Sequence, residues 1–230
     1  MLAFRELESS NLYAGLGVQL IDEFASVPSA SFDAPPLGWT TIEIDFDDGG
    51  GVYRALDPTS LVSMRTPSGV VWYPWLERHA DARLLAARNY RVRVSAGLYA
   101  PRYAYDSDGV VVAVSPYDDN NPPATIAAAP AKIMLLPTAT YPFASAIPVL
   151  RGLIVDTSNV PVPDALVSWI DATLQTDSVL SDADGEFALP MRRAAINTPI
   201  DIHAERPGLA GDTIIRIPQD LSIFHTIQIS

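Results

Sequence analysis

Thr41-Ile42-Glu43-Ile44-Asp45-Phe46-Asp47 places an apolar residue at every second position, with a hydroxyl or a carboxylate between. Successive side chains of a strand point to opposite faces, so this spacing makes one dry face and one wet face. Asn89-Tyr90-Arg91-Val92-Arg93-Val94 repeats the alternation with both arginines on one face. Residues 15–22 and 109–114 are further strand candidates. Turn chemistry separates these runs: Ala34-Pro35-Pro36-Leu37-Gly38, Asp47-Asp48-Gly49-Gly50-Gly51, Pro67-Ser68-Gly69 and Asp106-Ser107-Asp108-Gly109. One helix is expected, over residues 77–87 (ERHADARLLAA), from its Ala, Leu and Arg content.

From residue 150 onward the runs are short and closely spaced. Residues 150–155, 165–170, 176–180, 186–189, 200–204, 213–217 and 223–229 each read as a strand bounded by Pro, Gly or Asp, the pattern of a small β-sandwich. Between the two regions, residues 116–148 carry Pro130, Pro137, Pro142 and Pro148 after Asn121-Pro122-Pro123. Proline donates no ladder hydrogen bond and breaks helices, so this stretch reads as an extended connector. Within it, Ile133-Met134-Leu135-Leu136 is apolar enough to dock as a strand. The expected fold is all-β: two β-sandwich domains, residues 1–115 and 149–230, joined by the Pro/Ala-rich connector 116–148.

Composition narrows the function classes. The 230 residues are 48% hydrophobic and 18% charged, against roughly 25% charged in an average soluble protein. That balance excludes a disordered chain, which needs low hydrophobicity and high charge. No apolar run approaches the ~18–20 residues of a spanning helix. The opening MLAFRELESSNLY has acids and no apolar core, so no secretory signal is expected there. Cysteine is absent, which excludes disulfides and thiolate metal sites. The net charge of −12 is spread along the chain and argues against a nucleic-acid partner.

Three segments carry a family likeness. Leu150-Arg151-Gly152-Leu153-Ile154-Val155-Asp156, Pro161-Val162-Pro163-Asp164-Ala165-Leu166-Val167 and Ser181-Asp182-Ala183-Asp184-Gly185-Glu186-Phe187 resemble the carboxypeptidase regulatory-like (transthyretin-like) β-sandwich domain. That family runs G-x-V-x-D, P-V-x-x-A-x-V and T-D-x-x-G-x-F, and Ser181 stands where Thr is usual. Asp184-Gly185 reads independently as a type I′-compatible hairpin turn delivering Phe187 to the core. The module is a scaffold and implies no catalytic residue. Arg65-Thr66-Pro67-Ser68-Gly69-Val70-Val71-Trp72-Tyr73-Pro74, with Arg78-His79-Ala80-Asp81, Tyr90-Arg91-Val92-Arg93, Leu135-Leu136-Pro137 and Tyr141-Pro142-Phe143, resembles two-domain β proteins encoded among phage tail and contractile-injection genes.

Candidate sites are few. Arg78, Arg83, Arg88, Arg91, Arg93 and Arg102 form the one basic segment of an acidic protein. They read either as a docking face for an acidic neighbour or as internal partners of this chain's own carboxylates. Trp72 and Trp75 lead an aromatic cluster with Tyr73, Tyr90, Tyr99, Tyr103 and Tyr105, which reads either as core or as an exposed platform for sugar or protein. Asp45, Asp47 and Asp48 beside three glycines read as a hairpin tip, with a hard-cation loop as the alternative. Asp182-Ala183-Asp184-Gly185-Glu186 lacks the later ligands of a calcium loop and reads as a turn. His79, His203 and His225 stand in no metal-ligand spacing, and no Gly-x-Ser-x-Gly elbow anchors a triad.

No nucleophile, base and oxyanion donor converge, so a non-enzymatic role is expected, with no cofactor and no metal. The resemblance implies a structural subunit of a phage tail, baseplate or contractile injection particle, assembled in the bacterial cytoplasm and contacting other subunits in symmetric copies. A carbohydrate-binding or adhesin module recognising a cell-surface glycan is the alternative, and a hydrolase with an unrecognised site the third reading. Low charge in two small domains further implies apolar surface covered by partners.

Overall fold

The computed structural model describes residues 15–26, 33–58, 61–66, 69–79, 85–120, 129–170 and 176–230. Its strands are β1 (Leu16–Asp22), β2 (Thr40–Asp47), β3 (Tyr53–Ala55), β4 (Met64–Arg65), β5 (Val70–Tyr73), β6 (Arg78–His79), β7 (Arg88–Ala96), β8 (Tyr99–Pro101) and β9 (Val110–Val114). They continue with β10 (Tyr117–Asp118), β11 (Ala131–Pro137), β12 (Val149–Val155), β13 (Leu166–Ile170), β14 (Thr176–Leu180), β15 (Glu186–Pro190), β16 (Pro199–Arg206), β17 (Leu209–Arg216) and β18 (Phe224–Gln228). Arg102–Tyr105 and Gln219–Ser222 are short 3-10 turns. The protein is all-β.

The expected helix over 77–87 is not formed. Glu77 has φ +56°, outside the right-handed helical region, Arg78 and His79 are β6, and β7 begins at Arg88. Residues 80–84, Arg83 among them, lie outside the described residues. Helix propensity here was only a weak local preference, and Glu77 is instead tied to His79, Tyr90 and Arg88.

The sheets run β4-β5-β1-β11-β8, β3-β2-β7-β9, β10-β6, β15-β12-β18 and β14-β13-β16-β17. The packing divides into two compact units that do not follow chain order. One draws on Met1–Gln19, Glu43–Arg91 and Val111–Lys132, the other on Leu20–Ile42, Val92–Val110 and Ile133–Ser230.

In the first unit β1 pairs antiparallel with β5, Leu16 opposite Tyr73 and Val18 opposite Val71. β2 turns back on β3 with Asp47 opposite Tyr53. Leu16, Val18, Ile44, Val71, Tyr73, Tyr90 and Val114 are buried.

The second unit contains the sandwich expected from residue 150 onward. All seven strands form within a residue or a few of the positions read from alternation. β12 pairs antiparallel with β15 and parallel with β18, while β13 lies antiparallel between β14 and β16. Leu150, Ile154, Phe187, Leu189 and Ile227 from one sheet share a core with Val167, Trp169, Val179, Ile202 and Ile215 from the other. The Trp169 indole donates to the Pro190 carbonyl at 3.1 Å, so its polar end is satisfied within that core. The turn into β15 differs from the I′ expectation. Only Gly185 has positive φ (+76°), its amide donates to the Asp182 carbonyl at 3.0 Å, and Asp182 Oδ1 accepts from the amides of Asp184 and Glu186. This is a three-residue loop closed by a left-handed glycine, with the aspartate caging its own backbone. Residues 133–137 of β11 lie in the same unit, and the expected docking of 133–136 is seen: Ile133, Leu135 and Leu136 are buried, with β11 antiparallel to β8.

Candidate functional site

Four arginines of the basic segment turn to the chain's own acids. Arg78 Nε donates to Asp119 Oδ1 at 2.7 Å, and Arg88 lies 3.2 Å from Glu77. Arg91 sends Nε (2.9 Å) and Nη2 (2.7 Å) to Oδ2 of the buried Asp45 and stacks over Tyr53 with 4.7 Å to the ring centre. Arg102 forks onto Glu23 through Nε at 2.8 Å and through Nη2. Arg93, two residues beyond Arg91 on the same strand face, also has a partner. Internal acids therefore pair with Arg78, Arg88, Arg91 and Arg102.

The two tryptophans part company. Trp72 on β5 lies half-buried across Gly17 of β1, where a Cβ would come within 2.2 Å of the ring. Trp75, in the turn after β5, is 58% exposed. The Arg78 guanidinium packs on its ring at 4.6 Å and lies 5.8 Å from Tyr117. Trp75, Arg78, Tyr117 and Asp119 thus make a small ordered surface cluster around the parallel pair β6–β10.

The Asp-Gly tip is committed to its own fold. Asp45 holds Arg91, Asp47 Oδ1 accepts from the amides of Gly49 and Gly51, and Asp48 pairs with Arg54 at 2.6 Å. Those three carboxylates do not converge on a point, and the described residues hold no group of three His, Asp or Glu placed to bind a metal ion.

Beside that tip, Asp47, Asp48, Glu77, His79, Arg88 and Asn89 line an open cleft of about 440 Å³. The Glu77 carboxylate is nearly buried. It takes hydrogen bonds from His79 Nε2 at 3.0 Å and from the Tyr90 hydroxyl. Burial works to raise its pKa, but those bonds and the Arg88 charge outweigh burial and hold it below the ordinary value. Burial and the Glu77 bond push Tyr90 well up, so its proton stays on the hydroxyl. With both carboxylate oxygens taken, Glu77 is spent on structure.

A wider groove of about 550 Å³ lies on the β13–β16 face of the sandwich, lined by Ser168, Ile170, Arg193, Thr198, Asp201 and His203. Ser168 is the cross-strand partner of His203. The imidazole, however, turns both nitrogens to carboxylates, Nδ1 to Asp212 at 2.6 Å and Nε2 to Glu205 at 3.5 Å. Neither is left to take a proton from Ser168, so the geometry is not that of an activated serine.

The Asp212 hydrogen bond, against a smaller effect of burial, raises the His203 pKa above 6.5. A raised folded-state value means that His203 stabilises the fold fully below the unfolded pKa, and that this stabilisation is lost as pH rises through the folded value. Titration of its ring protons by NMR is expected to give a midpoint above 6.5, and Asp212→Asn is expected to lower it. An unchanged midpoint in the variant would remove Asp212 as the cause.

Sequence reading missed a buried polar centre in the second unit. The wholly buried Asp22 accepts from Tyr99 OH at 2.8 Å and Tyr141 OH at 3.3 Å, and Tyr99 OH accepts from the Leu37 amide. Phe24 packs edge to face on Tyr141 and Phe143, and Tyr99 does so on Tyr141. Asp22 ends the apolar run of β1, and no local signal marks it as an inward-facing charge. Trp39, 64% exposed and laid against Gly97, was likewise not singled out.

No protein-family model matches the chain, and no curated protein matches it. Among solved structures, the Bacillus anthracis TIE protein aligns with 93% of this chain and 32% of its own, at 11% identity and a TM-score of 0.26. This chain thus spans about a third of that protein's length. A C-terminal fragment of the pilus adhesin SpaC from Lactobacillus rhamnosus GG aligns with 93% of this chain and 95% of its own, at 11% identity and a TM-score of 0.19. Likenesses this distant assign no function. No helix among the described residues is long and apolar enough to cross a membrane.

Proposed function

We propose that the protein is a non-enzymatic structural component of a phage tail, baseplate or related contractile injection particle, built into it in symmetric copies by contacts with other subunits. In this reading it is assembled in the bacterial cytoplasm. Residues 149–230 are a carboxypeptidase regulatory-like module, 116–148 the connector and 1–115 the part that carries assembly contacts. The observation that carries the proposal is Trp75: a large apolar side chain, 58% exposed, held in place by Arg78 instead of being folded away. Trp and Arg are both enriched among the residues that dominate protein–protein binding. Leu37, Trp39, Val111, Ile170, Ile196 and Ile214 are also more than half exposed, in keeping with a chain that partners cover.

The same ring favours one second reading, a carbohydrate-binding or adhesin module. An exposed aromatic face beside the Arg78–Asp119 pair offers both stacking and hydrogen bonds to a sugar. Trp72 adds nothing to such a platform, since it lies across Gly17.

Trp75→Ala separates the readings. A surface substitution of this kind is expected to change stability by no more than about 0.5 kcal/mol. Incorporation of the folded variant into particles, followed by sedimentation and electron microscopy, is expected to fall sharply. Normal incorporation together with lost binding on a glycan array would transfer the site to the sugar reading.

A further inference from the structure

A carboxylate oxygen taken out of solvent needs a hydrogen-bond donor, because an apolar wall returns none of the hydration it has lost. Asp177 on β14 meets that need on one side only. Its side chain is completely buried. Oδ1 accepts from Arg192 Nε at 2.9 Å and from Nη2 of the same guanidinium, with Arg193 3.6 Å away. Oδ2 accepts no hydrogen bond among the described residues.

Asp177 borders a small, mostly polar cavity of about 10 Å³, whose wall also includes Glu23, Phe24, Thr176, Ser178 and Arg192. All of these residues belong to the second unit. Glu23 and Phe24 come from the turn after β1, Thr176 and Ser178 from β14 beside Asp177, and Arg192 from the segment after β15. The cavity therefore lies where the turn after β1 meets the sandwich. Arg192 joins the same two parts directly, since it also donates to the Phe24 carbonyl at 2.8 Å.

We propose that this cavity is the binding site of a single structural water, which donates to Asp177 Oδ2 and bridges β14 to the turn after β1. Size and charge select the occupant. A cavity of about 10–15 Å³ is the least that holds one water, so nothing larger enters. A metal cation would lie against the Arg192 guanidinium, at acids that already have their countercharges: Arg192 and Arg193 on Asp177, and Arg102 on Glu23. An anion would lie against two carboxylates. Water is neutral, and it both donates and accepts. With one proton on Oδ2, its second proton and its oxygen find partners among Glu23, Thr176 and Ser178, in keeping with the about three hydrogen bonds of a typical buried water. The joint between the two parts is then held twice, by Arg192 directly and by the water beside it. The site is independent of which particle the protein enters.

A crystal structure of the full chain, at a resolution that shows surface waters, tests this. A single water is expected at about 2.5–3.0 Å from Asp177 Oδ2, within hydrogen-bond reach of Glu23 or Phe24 as well. The variant Asp177→Val/Arg192→Met removes the acceptor and is expected to lose that water. If the variant does not fold, the parent crystal decides alone. No density beside Oδ2 where surface waters are seen, or the Arg193 guanidinium seated on Oδ2 in its place, would overturn the proposal. So would a metal ion at about 2.0–2.4 Å from several oxygens. A water kept at the same point in the folded variant would show that the carboxylate does not hold it, and would overturn the proposal too. None of these outcomes alters the Trp75→Ala experiment, so the two readings fail separately.

Discussion

Arg192→Ala is expected to cost the fold about 3 kcal/mol, the low end of the range for stripping one partner from a buried ion pair. Asp177 on β14 has a completely buried side chain, and Arg192 reaches its Oδ1 through Nε at 2.9 Å and through Nη2. The same guanidinium donates to the Phe24 carbonyl at 2.8 Å and packs on the Phe24 ring at 4.3 Å. Truncation therefore leaves a carboxylate without its main partner and a carbonyl without its donor. Arg193, 3.6 Å from the same oxygen, makes up part of the loss, which keeps the expectation at the low end. Asp177 Oδ2 has no hydrogen bond, so the pair is already less than fully compensated. The double variant Asp177→Val/Arg192→Met should recover most of the stability, because it removes the charge that needed a partner. Denaturant unfolding of the three chains measures this. A single variant as stable as the parent would mean that Asp177 is not buried as described.

Phe187→Ala should be as damaging, about 3–5 kcal/mol, by the usual cost of truncating a buried aromatic. Phe187 on β15 is 1% exposed, sits in the shared core of the two sheets, and lies against Gly152 of β12, where a Cβ would come within 2.7 Å of its ring and 2.3 Å of the His225 carbonyl. The ring has room because position 152 has no side chain. Gly152→Ala is therefore expected to destabilise from the opposite direction, by crowding a strand flanked on both sides. Phe187→Leu should lose less than Phe187→Ala. Unfolding midpoints settle the order, and an alanine variant within about 1 kcal/mol of the parent would contradict the shared core.

These two sites show what local sequence could and could not reveal. Strands β12 to β18 were legible because they are short apolar runs, several of them alternating, and are bounded by turns written in Asp, Asn, Gly or Pro. Phe187 was legible for that reason, as was the Asp182–Gly185 turn, although its type was not. Asp177 was not, because an acid in an alternating strand reads as solvent-facing, and its partner lies fifteen residues away across a turn. The residues 77–87 misled for a related reason. Ala, Leu and Arg favour a helix locally, but Glu77 is held by Tyr90 and Arg88, contacts that no window of that length contains. For the basic segment, residue types alone left docking and internal pairing equal. Only geometry separates them, since Arg91 and Asp45 are forty-six positions apart.

The claim that this chain is a part of something larger is tested most directly by fractionating the native protein from its producing cells under non-denaturing conditions and imaging the fractions by electron microscopy. The protein is expected to co-sediment with large particles and to occupy repeated, symmetry-related positions in them, with Trp75 at a subunit contact. Recovery of the chain only as free monomer or dimer, with no density for it in any particle, would contradict the account.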